Sequence, residues 1–171
     1  MPVNEGLVPE VELAPVATPS QRQACAALVD SWAAARLAEG GALVAVDRQN
    51  DDGTARWYLR LTGDEKDYVT VWLTMRQRTL HHEAQVMPAP ETNVERAYEY
   101  LLRRNGDLHR ARFSLGPEDA VYLVGEVAVV DVTEDELDRI VGSSLAYIDD
   151  VFPTAMLIGF AGRYRRRRRS P

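Results

Sequence analysis

Residues 57–86, WYLRLTGDEKDYVTVWLTMRQRTLHHEAQV, alternate apolar and polar side chains in three successive runs. In the first run Trp57 and Leu61 fall on the same face, and the alternation resumes over 69–75 and 80–86 after short polar turns. A period of two is typical of half-buried strands, and short turns join antiparallel neighbours. This stretch therefore predicts an antiparallel meander with one aliphatic face.

Three helices are predicted around the meander, because capping boxes precede apolar residues at helical spacing. The three boxes are Ser20 with Gln23, Thr92 with Glu95, and Thr133 with Glu136. The helix after Thr133 has the clearest periodicity. Pro153 predicts that residues 154–160 form a kink or a separate piece.

Further alternating runs lie outside the meander, over residues 43–46, 111–115 and 121–123. Strands followed mostly by strands indicate a largely antiparallel sheet. We predict a single α+β domain in the order α-βββ-α-ββ-α, with a sheet of about five strands and the helices on one face.

The composition is that of one globular domain, with 171 residues of which 46% are hydrophobic and 27% charged. Residues 1–19 are proline-rich and acidic, which predicts a disordered leader before a domain over 20–160 and a basic tail over 161–171. No secretory signal or membrane-spanning stretch is expected. A single cysteine, Cys25, favours a reducing compartment, so the cytoplasm is the expected location.

The charge is distributed unevenly along the chain. Six arginines are clustered in the tail: Arg163, Arg165, Arg166, Arg167, Arg168 and Arg169. Of 20 basic and 26 acidic residues, 14 and 26 lie outside this cluster, so residues 1–162 carry −12. The tail could bind nucleic acid or an anionic membrane through phosphates, fold onto the acidic body, or be functionally silent. Binding to phosphates would be weak and independent of sequence.

One pattern suggests metal chemistry. His81 and Glu83 lie on one face of a strand, whereas His82 points to the other. Two ligands are fewer than the three protein ligands of a catalytic zinc site. His109 could be the third only if the sheet order brings it alongside. A solvated strand face explains the same residues, so we expect no metal and no cofactor.

No catalytic motif is found. Cys25 is flanked by alanines near a helix start and indicates a packing residue rather than a nucleophile. Ser143–Ser144 lacks the Gly-x-Ser-x-Gly elbow, and neither a phosphate loop nor a calcium loop is present. The chain is not expected to be an enzyme.

The other face of the meander is aromatic. Residue types enriched in interface anchors point to it, beside Arg112 and His81, and the predicted partner or dimer face consists of Tyr58, Tyr68, Trp72, Tyr122 and Arg60. The alternative is that the chain's own C-terminal segment covers this face. Both hold if residues 154–160 exchange between two subunits.

Several segments resemble the YbjN family over residues 20–152. They are Asn93-x-x-x-Ala-Tyr98-x-x-Leu101-Leu102-Arg103-x-Asn105, Arg112-Phe113-Ser-Leu115, a Pro-Glu-Asp turn, Val121-Tyr-Leu123 and Thr133-x-x-Glu136-Leu137. The resemblance implies a fold similar to type III secretion chaperones and a role as a sensory-transduction regulator. It also implies a homodimer that binds other proteins and a family without an established active site.

These observations predict a non-enzymatic, chaperone-like or regulatory interaction module that acts as a homodimer with an unidentified protein partner. Two alternatives stay open. One is a protein that binds nucleic acid or anionic surfaces through Arg163–Arg169. The other is a small metal-dependent enzyme using His81 and Glu83.

Overall fold

The computed structural model describes residues 13–166 and is an α+β domain. Its helices are α1 (Pro19–Glu39), α2 (Val94–Arg104) and α3 (Glu134–Gly159), and its strands are β1 (Leu43–Asp51), β2 (Thr54–Thr62), β3 (Tyr68–Met75), β4 (Thr79–Met87), β5 (Arg112–Leu115) and β6 (Val121–Ala128). All six strands join one antiparallel sheet in the order β1-β2-β3-β4-β6-β5. The predicted class is confirmed, with six strands in place of about five and four of them before α2.

The helices lie on the aliphatic face of the sheet. Leu59 and Val71 are fully buried there, in one cluster with Val29 of α1 and Ile140 of α3. The two buried tryptophans of this layer satisfy their indole N–H groups at its margin. Trp32 Nε1 donates to Asp138 at 2.9 Å and Trp57 Nε1 donates to Asp30 at 2.7 Å. Burial of these large side chains without an unpaired donor fixes α1 and α3 against the sheet.

Helix α1 begins two residues earlier than the sequence predicts. Thr18, and not Ser20, is the N-cap: Gln21 N donates to Thr18 Oγ1 at 3.1 Å, and Thr18 N donates to the Gln21 side chain at 2.8 Å. Pro19 takes the first helical position, where the missing N–H costs nothing. Just before it, Ala17 is buried and donates to Gln77 O, so these residues pack on the β3–β4 turn.

The predicted capping box of α2 is also wrong, because Thr92 serves the end of α3. Its hydroxyl donates to Ile158 O at 3.0 Å and accepts from Ala161 N at 3.0 Å. The N-cap of α2 is Asn93, with φ of 47° and no side-chain cap. Free carbonyls at a helix C-terminus need donors, and Thr92 supplies one from another element.

Helix α3 runs through Pro153 without a break to Gly159, so the predicted separate piece at 154–160 is wrong and these residues continue the helix. Thr133 is its N-cap as predicted, accepting from Glu136 N at 3.2 Å. Proline removes one helical hydrogen bond. Pro153 and Ala155 are nevertheless buried, so tertiary packing holds this last part of the helix on the aliphatic face.

Candidate interaction surface

The second face of the sheet, called the open face below, bears no helix of the described chain. An aromatic stripe crosses its middle, formed by Tyr58 of β2, Trp72 of β3 and Tyr122 of β6. The Trp72 ring centroid lies 6.2 Å from each tyrosine ring. All three side chains are half-buried. The strand register thus brings together three of the predicted anchors, in the edge-on and tilted arrangements that aromatic rings favour.

The remaining predicted residues lie at one corner of the open face. The Arg60 guanidinium stands 4.1 Å from the centre of the Tyr68 ring, and Tyr68 is 48% exposed. This cation–π pair keeps a large aromatic surface at the edge of the stripe. A hollow of about 300 Å³ borders the other end, beside Trp72, Tyr122 and the turn at Gly116. Gly116 is needed there, since a Cβ would stand 2.5 Å from the Tyr122 ring.

His81 and Glu83 are neighbours on the open face, with His81 Nε2 3.2 Å from Glu83 Oε2. His109 does not join them. It precedes β5, which β6 separates from β4, and its backbone N–H donates to Tyr147 of α3. In residues 13–166 no group of three or more histidines, cysteines, aspartates or glutamates could hold a metal ion.

The chain's own C-terminal segment lies on the opposite side of the sheet. Gly159 sits against Pro90 and Met87, where a Cβ would stand 2.8 Å from the proline ring, and its carbonyl accepts from Glu91 N and Thr92 N. Within one chain, residues 154–160 therefore do not cover the aromatic stripe. This corrects the alternative in which they cover it.

Part of the arginine tail folds onto the acidic body. Arg163 pairs with Glu91, and Arg166 Nη2 lies 2.6 Å from Glu65. Between them the Tyr164 ring meets Phe152 of α3 edge-on, at 5.9 Å between centroids. Arg165 is exposed beside them. The predicted polyanion-binding residues Arg167, Arg168 and Arg169 lie outside the described residues.

The β2–β3 turn is held by residues that sequence patterns did not single out. Asp149 of α3 accepts from the backbone N–H groups of Asp64, Glu65 and Lys66 at 2.8, 2.9 and 3.1 Å. Lys66 Nζ then donates to the carbonyls of Gln85 and Val86, where the β4–β6 register shifts. Burial lowers the pKa of Lys66 to about 8.

The free edge of β5 is blocked by a side chain. Asn105 Oδ1 accepts from Phe113 N at 2.6 Å, and Asn105 Nδ2 donates to Phe113 O at 3.1 Å. The amide thus occupies both outward backbone groups of Phe113, as a neighbouring strand would. Natural sheets protect their edges against unwanted pairing in such ways. Phe113 of β5 therefore offers no free outward backbone group to a further strand.

Two side chains of types that often take part in catalysis, Cys25 and His82, are buried. Burial raises the pKa of the Cys25 thiol to about 11, which removes the thiolate that a nucleophile needs. His82 is 1% exposed on the aliphatic face, and neither ring nitrogen has a hydrogen-bond partner among the described residues. Burial, with His81 and Arg139 as neighbours, lowers the pKa of His82 to about 4.

Comparison with known proteins places this fold in a family. A family model described as "Putative bacterial sensory transduction regulator" matches residues 26–155. An uncharacterized protein of Mycobacterium leprae is 32% identical over 109 residues, which cover 64% of this chain and 59% of the relative. An uncharacterized protein of Mycobacterium tuberculosis is 32% identical over 108 residues, covering 63% and 59%.

The chain spans about three-fifths of the length of these curated relatives. No helix within residues 13–166 has both the length and the apolar character needed to cross a bilayer.

Proposed function

The chain belongs to the YbjN family, and from this premise we propose that it is a non-enzymatic interaction module that acts as a homodimer through its open face. In this proposal the dimer serves a regulatory or chaperone-like role in the cytoplasm and binds a further protein partner. The family description, "Putative bacterial sensory transduction regulator", fits a protein that works by binding.

The observation that carries the proposal is the aromatic stripe on a sheet face without a covering helix. Tyrosine, tryptophan and arginine are the residues that most often anchor protein interfaces. Here Tyr58, Trp72 and Tyr122 are contiguous, with Arg60 and Tyr68 at their margin. A contiguous apolar patch on a sheet face is rare in a monomer, because covering it removes its surface from water.

The state of the nucleophilic groups supports a function without catalysis. Cys25 is buried with a raised pKa, and the buried His82 has a lowered one. His81 and Glu83 form a pair without a third ligand among the described residues. Stoichiometric zinc or iron retained after dialysis, and lost in His81→Ala, would favour the enzyme alternative instead.

The test of the proposal is the mass in solution. We expect a dimer at tens of micromolar by light scattering, and Trp72→Ala should raise the dimer Kd at least about thirtyfold, equal to about 2 kcal/mol, because it removes the centre of the stripe. The control is Leu102→Ala, which truncates a side chain that is 67% exposed on α2. A monomeric wild-type protein, or a dimer broken by Leu102→Ala and not by Trp72→Ala, contradicts the proposed face.

A second candidate function is polyanion binding by the tail, favoured by its six arginines. Truncation after Tyr164 removes five of them and keeps the Tyr164–Phe152 contact and the Arg163–Glu91 pair. We expect the full chain to bind duplex DNA weakly, with a log–log salt slope no steeper than about −5, and the truncated chain to fold without binding. Arg103→Ala on α2 is the control. A full chain that binds neither DNA nor anionic vesicles at low salt rules this function out.

A further inference from the structure

Strand register arranges the open face into rows that run across the sheet. The central row contains, from β1 to β5, Asp47, Tyr58, Trp72, Glu83, Val124 and Arg112. A neighbouring row contains Gln49, Arg56, Thr74, His81 and Glu126. In each row, the residues on β1, β2 and β3 can therefore be compared with those on β5, β6 and β4, which lie at the same distance from the middle of the sheet.

Both rows place opposite charges at mirrored strand positions. Asp47 lies on the outermost strand on one side and Arg112 on the outermost strand on the other, and both are exposed. Arg56 lies on the second strand from one edge and Glu126 on the second strand from the other. Since strands are about 4.8 Å apart, Asp47 and Arg112 of one chain are separated by roughly 24 Å. They cannot pair with each other within one chain, where Asp47 accepts a hydrogen bond from Gln49 Nε2 at 2.9 Å.

A two-fold axis in the plane of the open face and parallel to the strands would bring these charges together. This rotation leaves the position of each row along the strands unchanged. It places β1 over β5 of the partner subunit and β2 over β6 of the partner subunit. Asp47 then faces Arg112 of the partner subunit. Arg56, which lies 3.3 Å from Asp51 of its own chain, faces Glu126 of the partner subunit. Each contact occurs twice by symmetry, as an isologous interface requires.

At the centre of the face, the same axis would place Trp72 of β3 over Glu83 of the partner subunit. Tyr58 on β2 would lie over Val124 of the partner subunit. Arg60, two residues further along β2, would lie over Tyr122 of the partner subunit, beside the Tyr68 ring on which its guanidinium stacks. Two sheets that pack face to face in this way keep their strands within about 30° of alignment, so the long arginine side chains can still reach their partners.

A two-fold axis that lies in the open face but runs perpendicular to the strands would bring like charges together. Each strand would then lie over its own copy, so Tyr58 and Trp72 would each meet their own copies, but Asp47 would also meet Asp47 and Arg112 would meet Arg112. Arg56 and Arg60, which flank Tyr58 on β2, would meet each other. Like charges placed together across an interface disfavour a pairing. An axis perpendicular to the face would leave the aromatic stripe uncovered.

Resting on the proposed dimer, we infer that the partner on the open face is a second copy related by a two-fold axis parallel to the strands, with Asp47 paired to Arg112 across the interface. The pairing of Asp47 with Arg112 can therefore be tested separately from dimer formation.

Charge exchange tests the pairing. Asp47→Arg and Arg112→Asp should each raise the dimer Kd roughly tenfold to thirtyfold at low salt, because each creates two like-charge contacts. The double variant should return to within about threefold of wild type. The matched control is Glu99→Arg with Arg103→Glu, an exposed pair on α2, for which every variant should keep the wild-type Kd.

Cross-linking supplies a readout that does not depend on affinity. In a Cys25→Ser background, the double variant Asp47→Cys with Arg112→Cys should form a covalent dimer on mild oxidation, and neither single variant should. Covalent dimers from Asp47→Cys alone would overturn the inferred axis and favour the axis across the strands. A wild-type monomer would overturn the proposed function as well. A wild-type dimer broken by Trp72→Ala, with no rescue in the charge-exchanged double variant, would overturn the axis only.

Discussion

Replacing Asp149 with alanine is expected to lower the free energy of unfolding by about 3 kcal/mol. The Asp149 carboxylate accepts three backbone N–H groups of the β2–β3 turn, at 2.8, 2.9 and 3.1 Å. Hydrogen bonds to a charged acceptor contribute roughly 1.5–3 kcal/mol each, and water replaces them in part where the turn is exposed. Urea denaturation of the variant and wild type measures the difference.

The loss should extend beyond the turn itself. The turn positions Lys66, whose ammonium group donates to the carbonyls of Gln85 and Val86 on β4. Gly63 belongs to the same arrangement, because a Cβ there would stand 2.2 Å from Lys66 O. Faster hydrogen exchange in Asp149→Ala should therefore reach residues 85–87 as well as 63–66.

Two neighbouring variants make the Asp149 result specific. Asp149→Asn keeps one acceptor oxygen and should cost less than Asp149→Ala. Asp150→Ala removes the adjacent aspartate, which pairs with Arg104 on the surface and is 57% exposed, so it should cost at most about 1 kcal/mol. Equal losses in Asp149→Ala and Asp150→Ala would show that the turn contacts do not contribute as inferred.

Alternation predicted the inner strands because their two faces differ in chemistry. Leu59 and Val71 are fully buried, while Tyr58 and Trp72 face the other way. Strand β1 gave a weaker pattern, since it lies at the sheet edge and only Leu43 is buried in it. An edge strand exposes both faces near its end, so periodicity alone could not show that it joins the sheet over nine residues.

Capping signals were less reliable, because they are local. Thr18 with Gln21 and Ser20 with Gln23 both fit the same box, and the choice depends on Pro19 at the first helical position. Thr92 fits a box too, but tertiary contact with α3 uses its hydroxyl. Such competition between a local motif and a distant partner is decided only in the folded chain.

The placement of the aromatic residues followed from parity along each strand, which needs no knowledge of the whole fold. The hydrogen bonds from the β2–β3 turn to Asp149 could not be predicted, because Asp149 lies more than 80 positions from the residues it binds. His82 was placed on the aliphatic face by parity. The close packing of its ring against Gly125 depends on the pairing of β4 with β6, which no local sequence pattern predicts.

His82 should make the protein acid-sensitive between pH 6.5 and 4. Its folded-state pKa is about 4 against an ordinary value of 6.5, so in this range the unfolded chain binds a proton that the folded chain does not. Stability is therefore complete above pH 6.5 and falls by up to 1.4 kcal/mol per pH unit as the pH decreases. The total loss by pH 4 is roughly 3 kcal/mol. Urea denaturation from pH 7 to 5 measures the slope before most carboxylates titrate.

The charged neighbours explain why His82 stays neutral in the folded protein. Its ring lies near His81 and Arg139, which oppose a positive charge, and near Glu136, which favours one. Glu136 is already engaged by Arg139 at 2.6 Å and by Arg110, so it offers little compensation. Burial without a hydrogen-bond partner among the described residues then dominates.

The decisive variant is His82→Leu, which fills a similar volume without a titratable group. At pH 7 its stability should equal or exceed that of wild type, because it removes two ring nitrogens with no hydrogen-bond partner among the described residues. Between pH 6.5 and 5 the unfolding free energy of His82→Leu should change less steeply with pH than that of wild type. The difference should be up to about 1.4 kcal/mol per pH unit, because unfolding of the variant takes up one proton fewer. Leu102→Ala, an exposed and non-titratable position on α2, is the control and should keep the wild-type slope. An unchanged slope in His82→Leu would assign the acid sensitivity to other groups.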